Sequence, residues 1–339
     1  MTMKNKIRTG LLSFGMSGKI FHAPFVRAHP EFELVAVVER SKKNAHTTYP
    51  GIKSYSSVDE LLNDDDIELV VVNTPNNTHY EFALKALQHK KHVLVEKPFT
   101  TTSEEAGHLY REAAKNHCYV LPYHNRRYDS DFLSVKEVVD SGKLGKAIEV
   151  YFRFERYKYV IGEKRFKEEN IPGSGLQYDL GSHLLDGVIA LFGIPERWHK
   201  ILGKYRPGSQ VDDYVHIHLE YENGLQVFVK TSLLVLGPQP AFVINGTRGT
   251  YIKDRTDIQE KQLLEGMQPD DPGFGMEEEH REGTLTWLDD HDVKHTEKVA
   301  AAPASYLGIF EAVYQTIRNR KPYPVTEAQI LAQLRILEE

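Results

Sequence analysis

The stretch GLLSFGMSGKIFHAP, residues 10–24, closes an apolar run that begins at Ile7 and leads into a helical pattern ending at Ala28. A strand, a glycine turn and a helix in that order open a βαβ unit. Ser13, Gly15 and Gly18 stand at the three positions of the G-x-G-x-x-G spacing, with serine in place of the first glycine. In that spacing the second glycine lets backbone approach a pyrophosphate and the third lets the helix pack closely on the strand. The helix N-terminus adds oriented N–H groups and a positive dipole. Ser13, Gly15, Met16, Ser17 and Gly18 are therefore candidate contacts for a dinucleotide.

Working outward, Glu33–Val38 reads as a second strand and Ser57–Asn63 as a short helix. The run Glu68–Asn73 is apolar at successive positions, as in a parallel strand covered on both faces. A helix over Thr78–His89, a strand His92–Val95, a helix Ser103–Asn116 with Ser103 as N-cap, and a strand Tyr119–Pro122 follow. Strand and helix alternating at this spacing predict a doubly wound α/β Rossmann domain over residues 1–123.

A second domain is expected over residues 124–339, and after about residue 147 the character changes. Ala147–Tyr157 is a long extended stretch, and Val215–Tyr221 and Leu225–Leu234 flank Glu222-Asn223-Gly224, a hairpin signal because Asn-Gly readily takes the positive φ angles of a tight turn. Ala241–Asn245 with Thr250–Lys253, and Thr284–Leu288 with Lys294–Val299, complete a predicted antiparallel sheet. Tyr306–Arg320 is helical, residues 266–283 read as an exposed loop, and Thr326 opens a last helix with Gln329 completing a capping box. That last helix is a candidate to pack back on the first domain.

Bulk properties bound the function. The 339 residues are 40% hydrophobic and 27% charged, ordinary for a globular chain of roughly two domains. A net charge of −6 argues against a nucleic-acid partner and against polybasic membrane attachment. Cys118 is the single cysteine, which excludes an intramolecular disulfide and a cysteine-rich zinc site. The apolar run near the N-terminus is too short for a signal peptide, and no run approaches the roughly 18 apolar residues of a membrane span, so a cytoplasmic location is expected.

In a doubly wound sheet, ligands bind beyond the C-terminal ends of the strands. Glu39 ends the second strand, where a carboxylate would take the ribose hydroxyls of NAD. Arg40, Ser41 and Lys42 follow at once and could hold the 2′-phosphate of NADP, so the choice between NAD and NADP stays open. Asn73, Thr74, Pro75 and Asn76, with His79, lie beyond the third predicted strand, and Glu96 and Lys97 beyond the fourth. Alone, Lys97 before a proline also reads as a solvated charge in a turn; at this sheet edge its ammonium can bond a substrate oxygen.

Downstream, Asp179 and His183 stand four residues apart with Asp186 close by, so a carboxylate can orient an imidazole suited to proton transfer near neutral pH. A capped helix with an ordinary half-buried histidine carries the same letters, and such scattered ligands do not make a metal site. The segment YHNRRYDSD, residues 123–131, offers His124, Asn125 and Arg126 to a polyhydroxylated substrate, though salt bridges need the same groups; Arg156, Tyr157, Arg165 and Tyr178 are further candidates.

The glycine turn, NTPNNTH (73–79), VEKPFT (95–100) and DLGSHLLD (179–186), in this order, resemble the glucose–fructose oxidoreductase/inositol dehydrogenase/MocA family. GKIFHAP, YHNRRYDSDF and GLQYDLGSHLLD look most like its branch of NADP-dependent scyllo-inositol dehydrogenases. The resemblance implies a C-terminal α+β domain with a large, open, mostly antiparallel sheet, serving substrate binding and assembly into a homodimer or homotetramer. It also implies a catalytic lysine at Lys97 and the family's Asp-x-x-x-His pair at Asp179 and His183. The expected chemistry is hydride transfer between a nicotinamide and a secondary alcohol or ketone of a polyol, inositol or sugar. His183 would take the hydroxyl proton, oriented by Asp179, while Lys97 stabilises the alkoxide. An NAD-retaining glycosidase working by transient oxidation, and a cofactor-binding regulator without catalysis, are the alternatives.

Overall fold

A computed structural model describes residues 6–162 and 168–339; the candidate Arg165 lies outside the described residues. The chain forms two compact units, one of Met1–Asn125, Glu260–Pro272 and Tyr306–Leu331, the other of Arg126–Gln259, Gly273–Ser305 and Ala332–Glu339.

In the first unit, β1 (Ile7–Leu11), β2 (Phe32–Val38), β3 (Lys53–Tyr55), β4 (Leu69–Val72), β5 (His92–Glu96) and β6 (Val120–Tyr123) make one sheet in the order β3-β2-β1-β4-β5-β6. Every pairing is parallel, which is the doubly wound Rossmann arrangement. All four residues of β4 are buried, as a strand covered on both faces requires. The helices α1 (Ala23–Ala28), α2 (Ala45–Thr48), α3 (Val58–Leu62), α4 (His79–Gln88) and α5 (Ser103–Lys115) alternate with the strands. Thr102, not Ser103, caps α5: its side chain accepts from the Glu105 amide while Glu105 returns the bond, a complete capping box. The three-residue strand β3 is too short to leave a periodic pattern and is absent from the sequence reading.

The second unit holds an eight-stranded sheet in the order β14-β13-β12-β11-β7-β10-β9-β8. Its strands are β7 (Ala147–Glu155), β8 (Arg197–Gly203), β9 (Tyr214–Glu220), β10 (Gln226–Ser232), β11 (Phe242–Gly246), β12 (Gly249–Lys253), β13 (Gly283–Leu288) and β14 (Lys294–Val299). All pairings are antiparallel except β7 with β10. The β9–β10 hairpin turns over Glu222-Asn223-Gly224, where its flanking strands place it. Tyr221 and Leu225 close a three-residue loop in which only Gly224 has positive φ, at 85°, and Asn223 instead accepts a bond from the Leu225 amide. Helices α6 (Ser130–Asp140) and α7 (Ser182–Phe192) belong to this unit; Gly187 of α7 lies so near the sheet that a Cβ would stand 3.2 Å from Phe152. The short α8 (Gln259–Leu264) occupies a stretch with no predicted element, α9 (Leu307–Asn319) falls in the first unit, and α10 (Glu327–Glu338) divides between the units at Leu331. Thr326 and Gln329 exchange both bonds of the predicted capping box. Among the described residues, no helix is long and apolar enough to cross a membrane.

Candidate active site

The glycine turn follows β1, and the helix it opens begins with one π turn, Gly18–His22, before α1. Gly18 is indispensable sterically, since a Cβ there would lie 2.3 Å from the Ser13 carbonyl oxygen. Gly15 is exposed and a Cβ would meet only Ser13 Oγ, at 3.4 Å, leaving the outer side of the turn open. Ser13 accounts for its own place in the fingerprint: its hydroxyl accepts a 3.2 Å bond from the Gly15 amide and so fixes the turn that a glycine would otherwise allow. No side chain caps the helix, and its first turn carries no acid. Met16, 51% exposed, stands at the tip. An uncapped helix start behind an open glycine turn fits a pyrophosphate.

Asn73, one of the predicted cofactor contacts, also braces the turn itself. Its Oδ1 accepts from Ser13 N at 2.9 Å and its Nδ2 donates to Ser13 O at 2.8 Å, stapling the loop after β4 to the glycine turn. His79 is likewise a brace. The ring is buried, with Nδ1 2.7 Å from Pro98 O and Nε2 2.9 Å from Thr74 O, so both nitrogens face backbone rather than a ligand. Burial pushes this imidazole below its ordinary pKa, against the pull of the two carbonyls.

Glu96 ends β5 and organises Lys97. Its Oε1 accepts from Ser17 Oγ at 2.7 Å and lies 2.8 Å from His22 Nε2, and its Oε2 accepts from the Lys97 amide at 3.2 Å. Burial alone would raise the Glu96 carboxyl, but the bonds to His22 and Ser17 and the charge of Lys97 hold it at about 2. It is an anion that ties the glycine-turn helix to the residue before the cis Lys97–Pro98 bond. His22, wholly buried and packed 4.4 Å from the Tyr123 ring, was not singled out in the sequence. Its signal is a histidine on the apolar side of a helix facing strand ends. Lys97 is half-buried at the edge shared by the glycine turn and by Thr74, Pro75 and Asn76.

Glu39 directly follows β2, with its carboxylate turned to backbone amides and a hydroxyl. It is only 7% exposed, and its carboxylate accepts from the Asn44 amide at 2.8 Å, the Ala45 amide at 3.2 Å and Ser54 Oγ at 2.8 Å. It caps α2 and ties β2 to β3. Arg40, Ser41 and Lys42 remain exposed just beyond it.

In the second unit, Asp179 lies in a π turn, Gln177–Gly181, that runs into α7 carrying His183. The turn is held by Asp212, which accepts from Gln177 N at 2.7 Å. Gly175 sits against it at φ 87°, where a Cβ would fall 2.2 Å from Asp212 Oδ1. Asp179 is half-buried and His183 is 9% exposed. Asp186 is held by Arg127 through two bonds, Nε to Oδ2 at 2.9 Å and Nη2 to Oδ1 at 2.7 Å. Tyr178 is buried, lines a cleft of about 470 Å³ with Gln177, Lys204 and Asp212, and gives its carbonyl to Ser182 Oγ.

The polar segment after β6 is largely structural. Asp131 accepts from the Thr256 and Asp257 amides at 2.7 and 2.9 Å, Asp257 accepts from Ser130 N at 2.8 Å, and Arg126 donates to Asp129 at 3.1 Å. His124 and Asn125 are buried at the end of the first unit. Arg126 and Arg156 approach the Phe154 ring. Among the described residues, no group of three or more His, Cys, Asp or Glu side chains is placed to hold a metal.

Residues 7–124 match the oxidoreductase family with an NAD-binding Rossmann fold, and residues 132–252 match the GFO/IDH/MocA C-terminal domain. The chain belongs to the GFO/IDH/MocA family. It is thus an oxidoreductase with an NAD(P)-binding Rossmann domain. It is 38% identical to the uncharacterized oxidoreductase C115.03 of Schizosaccharomyces pombe, over 98% of this chain and 95% of that one. It is 32% identical to the scyllo-inositol 2-dehydrogenase (NADP(+)) IolW of Bacillus subtilis, over 98% of this chain and 92% of that one. The solved structure of the oxidoreductase YvaA of Bacillus subtilis superposes with a TM-score of 0.94 at 31% identity, covering 100% of this chain and 96% of that one.

Proposed function

We propose that this GFO/IDH/MocA protein is an NADP-dependent dehydrogenase acting on a secondary alcohol of a polyol, inositol or sugar. The observation that carries the cofactor choice is the Glu39 carboxylate, whose oxygens are already committed to the Asn44 and Ala45 amides and to Ser54. A carboxylate so engaged has little acceptor capacity left for the ribose hydroxyls. The exposed Arg40, Ser41 and Lys42 then supply the fork and donors that such a phosphate needs. The name of the IolW relative supports both the cofactor and the substrate class.

Ser13, Gly15, Met16, Ser17 and Gly18 hold the pyrophosphate at the turn, and Thr74, Pro75 and Asn76 line the same sheet edge. A bound nicotinamide supplies the hydride acceptor. Lys97, kept at the end of β5 by the Glu96 anion, donates a hydrogen bond to the substrate oxygen and stabilises its developing negative charge. His183 takes the hydroxyl proton, with Asp179 on the preceding turn as its orienting carboxylate. Assembly into a homodimer or homotetramer through the eight-stranded sheet belongs to the same reading, and size-exclusion chromatography with light scattering tests it. The functional test is nicotinamide absorbance with NADP against inositols, aldoses and other polyols. Reduction with at least one of them, lost in Lys97→Ala, is expected; absence of reduction across the panel with NADP bound contradicts the proposal.

A further inference from the structure

Alternation along β7 places Val150, Phe152 and Phe154 on the face that α7 covers, with Arg156 next in the same series. Three guanidinium groups gather on the Phe154 ring. Arg255 stands 4.1 Å from its centroid, Arg156 4.7 Å and Arg126 5.2 Å, and Arg255 also lies 5.0 Å from Phe242. They come from three separate parts of the second unit, so no local motif explains their meeting. A ring face attracts one cation by about 0.5–2 kcal/mol, too little to offset crowding three like charges in a partly desolvated place.

Two carboxylates face Arg126 and Arg255. Arg126 and Arg255 share Asp129, at 3.1 and 3.9 Å, and Asp131 lies 3.7 Å from Arg255 while its other oxygen is occupied by two backbone amides. Burial pushes Asp129 well above the usual carboxylate range, against Arg126 and Arg255, with Asp257 and Asp131 adding to the rise. Burial lowers Arg255, Asp131 opposes this, and the charge of Arg126 lowers it further. Arg255 Nε is a buried donor with no partner among the described residues. A cavity of about 20 Å³ lies here between Arg126, Phe154, His183 and Arg255, room for on the order of one oxygen-sized group.

We propose that Arg126, Arg156 and Arg255 form a receptor for an oxyanion carried by the substrate, a phosphate or a carboxylate, beside His183. Hydroxyl recognition does not need three guanidiniums, whereas an oxyanion accepts several of their N–H groups at once and relieves their mutual repulsion. The inference rests on the dehydrogenase reading for the identity of the site and sharpens its substrate class to acidic sugars or polyols.

Isothermal titration calorimetry of the full chain with NADP present separates the two ideas. Glucose 6-phosphate and glucuronate are the anionic probes, and glucose is the neutral control. At least one anionic probe is expected to bind about ten-fold or more tightly than glucose, and the advantage to collapse in Arg156→Gln and Arg255→Gln while persisting in Arg156→Lys. Arg156 is exposed, so its variants report even if Arg255→Gln does not fold. Which probe wins tells phosphate from carboxylate. Equal binding of glucose, no binding of either anion, or an advantage that survives Arg156→Gln overturns the receptor. An anionic preference without any cofactor reduction removes the dehydrogenase reading and leaves the receptor standing.

Discussion

The cofactor turn of the first unit and the arginine cluster of the second are built on opposite principles. Around Gly15 and Gly18 the shape is set by backbone and neutral side chains, with Asn73 stapling Ser13 and one anion, Glu96, deep behind the turn. Around Phe154 the shape is set by charged side chains from distant segments, with Asp129 shared between Arg126 and Arg255. The first is an almost finished surface, stable before any ligand arrives. The second gathers three guanidiniums on one ring, where the proposed oxyanion would bind. That difference says where substitutions should cost stability and where they should cost activity.

The largest effects should fall on chemistry. Lys97→Ala and His183→Ala each should lower kcat by about 10²–10⁴-fold in steady-state assays, the usual worth of a placed acid–base group, with little change in thermal unfolding. Near-normal kcat in both would break the proposed roles.

Next comes the Glu96 anchor. Its folded pKa, held near 2, is depressed below the ordinary 4.5, so its stabilisation is fully present above about pH 4.5 and is lost as pH falls through 2. The difference in unfolding free energy between wild type and Glu96→Gln should therefore shrink by about 3 kcal/mol between roughly pH 5 and pH 2. Denaturant melts across that range check it, and a pH-independent difference would remove Glu96 as the charged anchor.

Smaller effects should separate the glycines. Gly18→Ala, whose Cβ would press on a backbone oxygen, should cost about 1–3 kcal/mol, as should Gly175→Ala against Asp212. Gly15→Ala, meeting only a hydroxyl at 3.4 Å, should be close to neutral in stability. Equal melting temperatures for Gly15→Ala and Gly18→Ala would contradict a turn shaped by strand–helix packing. The smallest effect is expected at Arg40→Ala, which should raise the KM for NADP by about ten-fold and leave that for NAD nearly unchanged, since only the 2′-phosphate contact is lost.

How much of this was legible in the sequence follows from the same contrast. The parallel sheet announces itself through local signals, a buried Val-rich β4 and a glycine spacing at a strand end, and these persist in one dimension. The edge strands do not: β3 is three residues long, and β8 is largely exposed, so neither shows an apolar alternation. Asn73, His79 and Glu39 stand at the right strand ends, but sequence spacing cannot tell a side chain that faces a ligand from one that turns inward to hold the loop. His22 finds Glu96 across 74 positions and Arg255 finds Phe154 only through the sheet, so both were invisible to spacing.

The central claim is that Glu39 is a structural cap and that the exposed residues after it read a 2′-phosphate. Titrating the wild-type protein with NADP and NAD by calorimetry under identical conditions tests it most directly. Binding of NADP about ten-fold or more tightly than NAD is the predicted result. Equal affinity, or a preference for NAD, would contradict it and return Glu39 to the ribose.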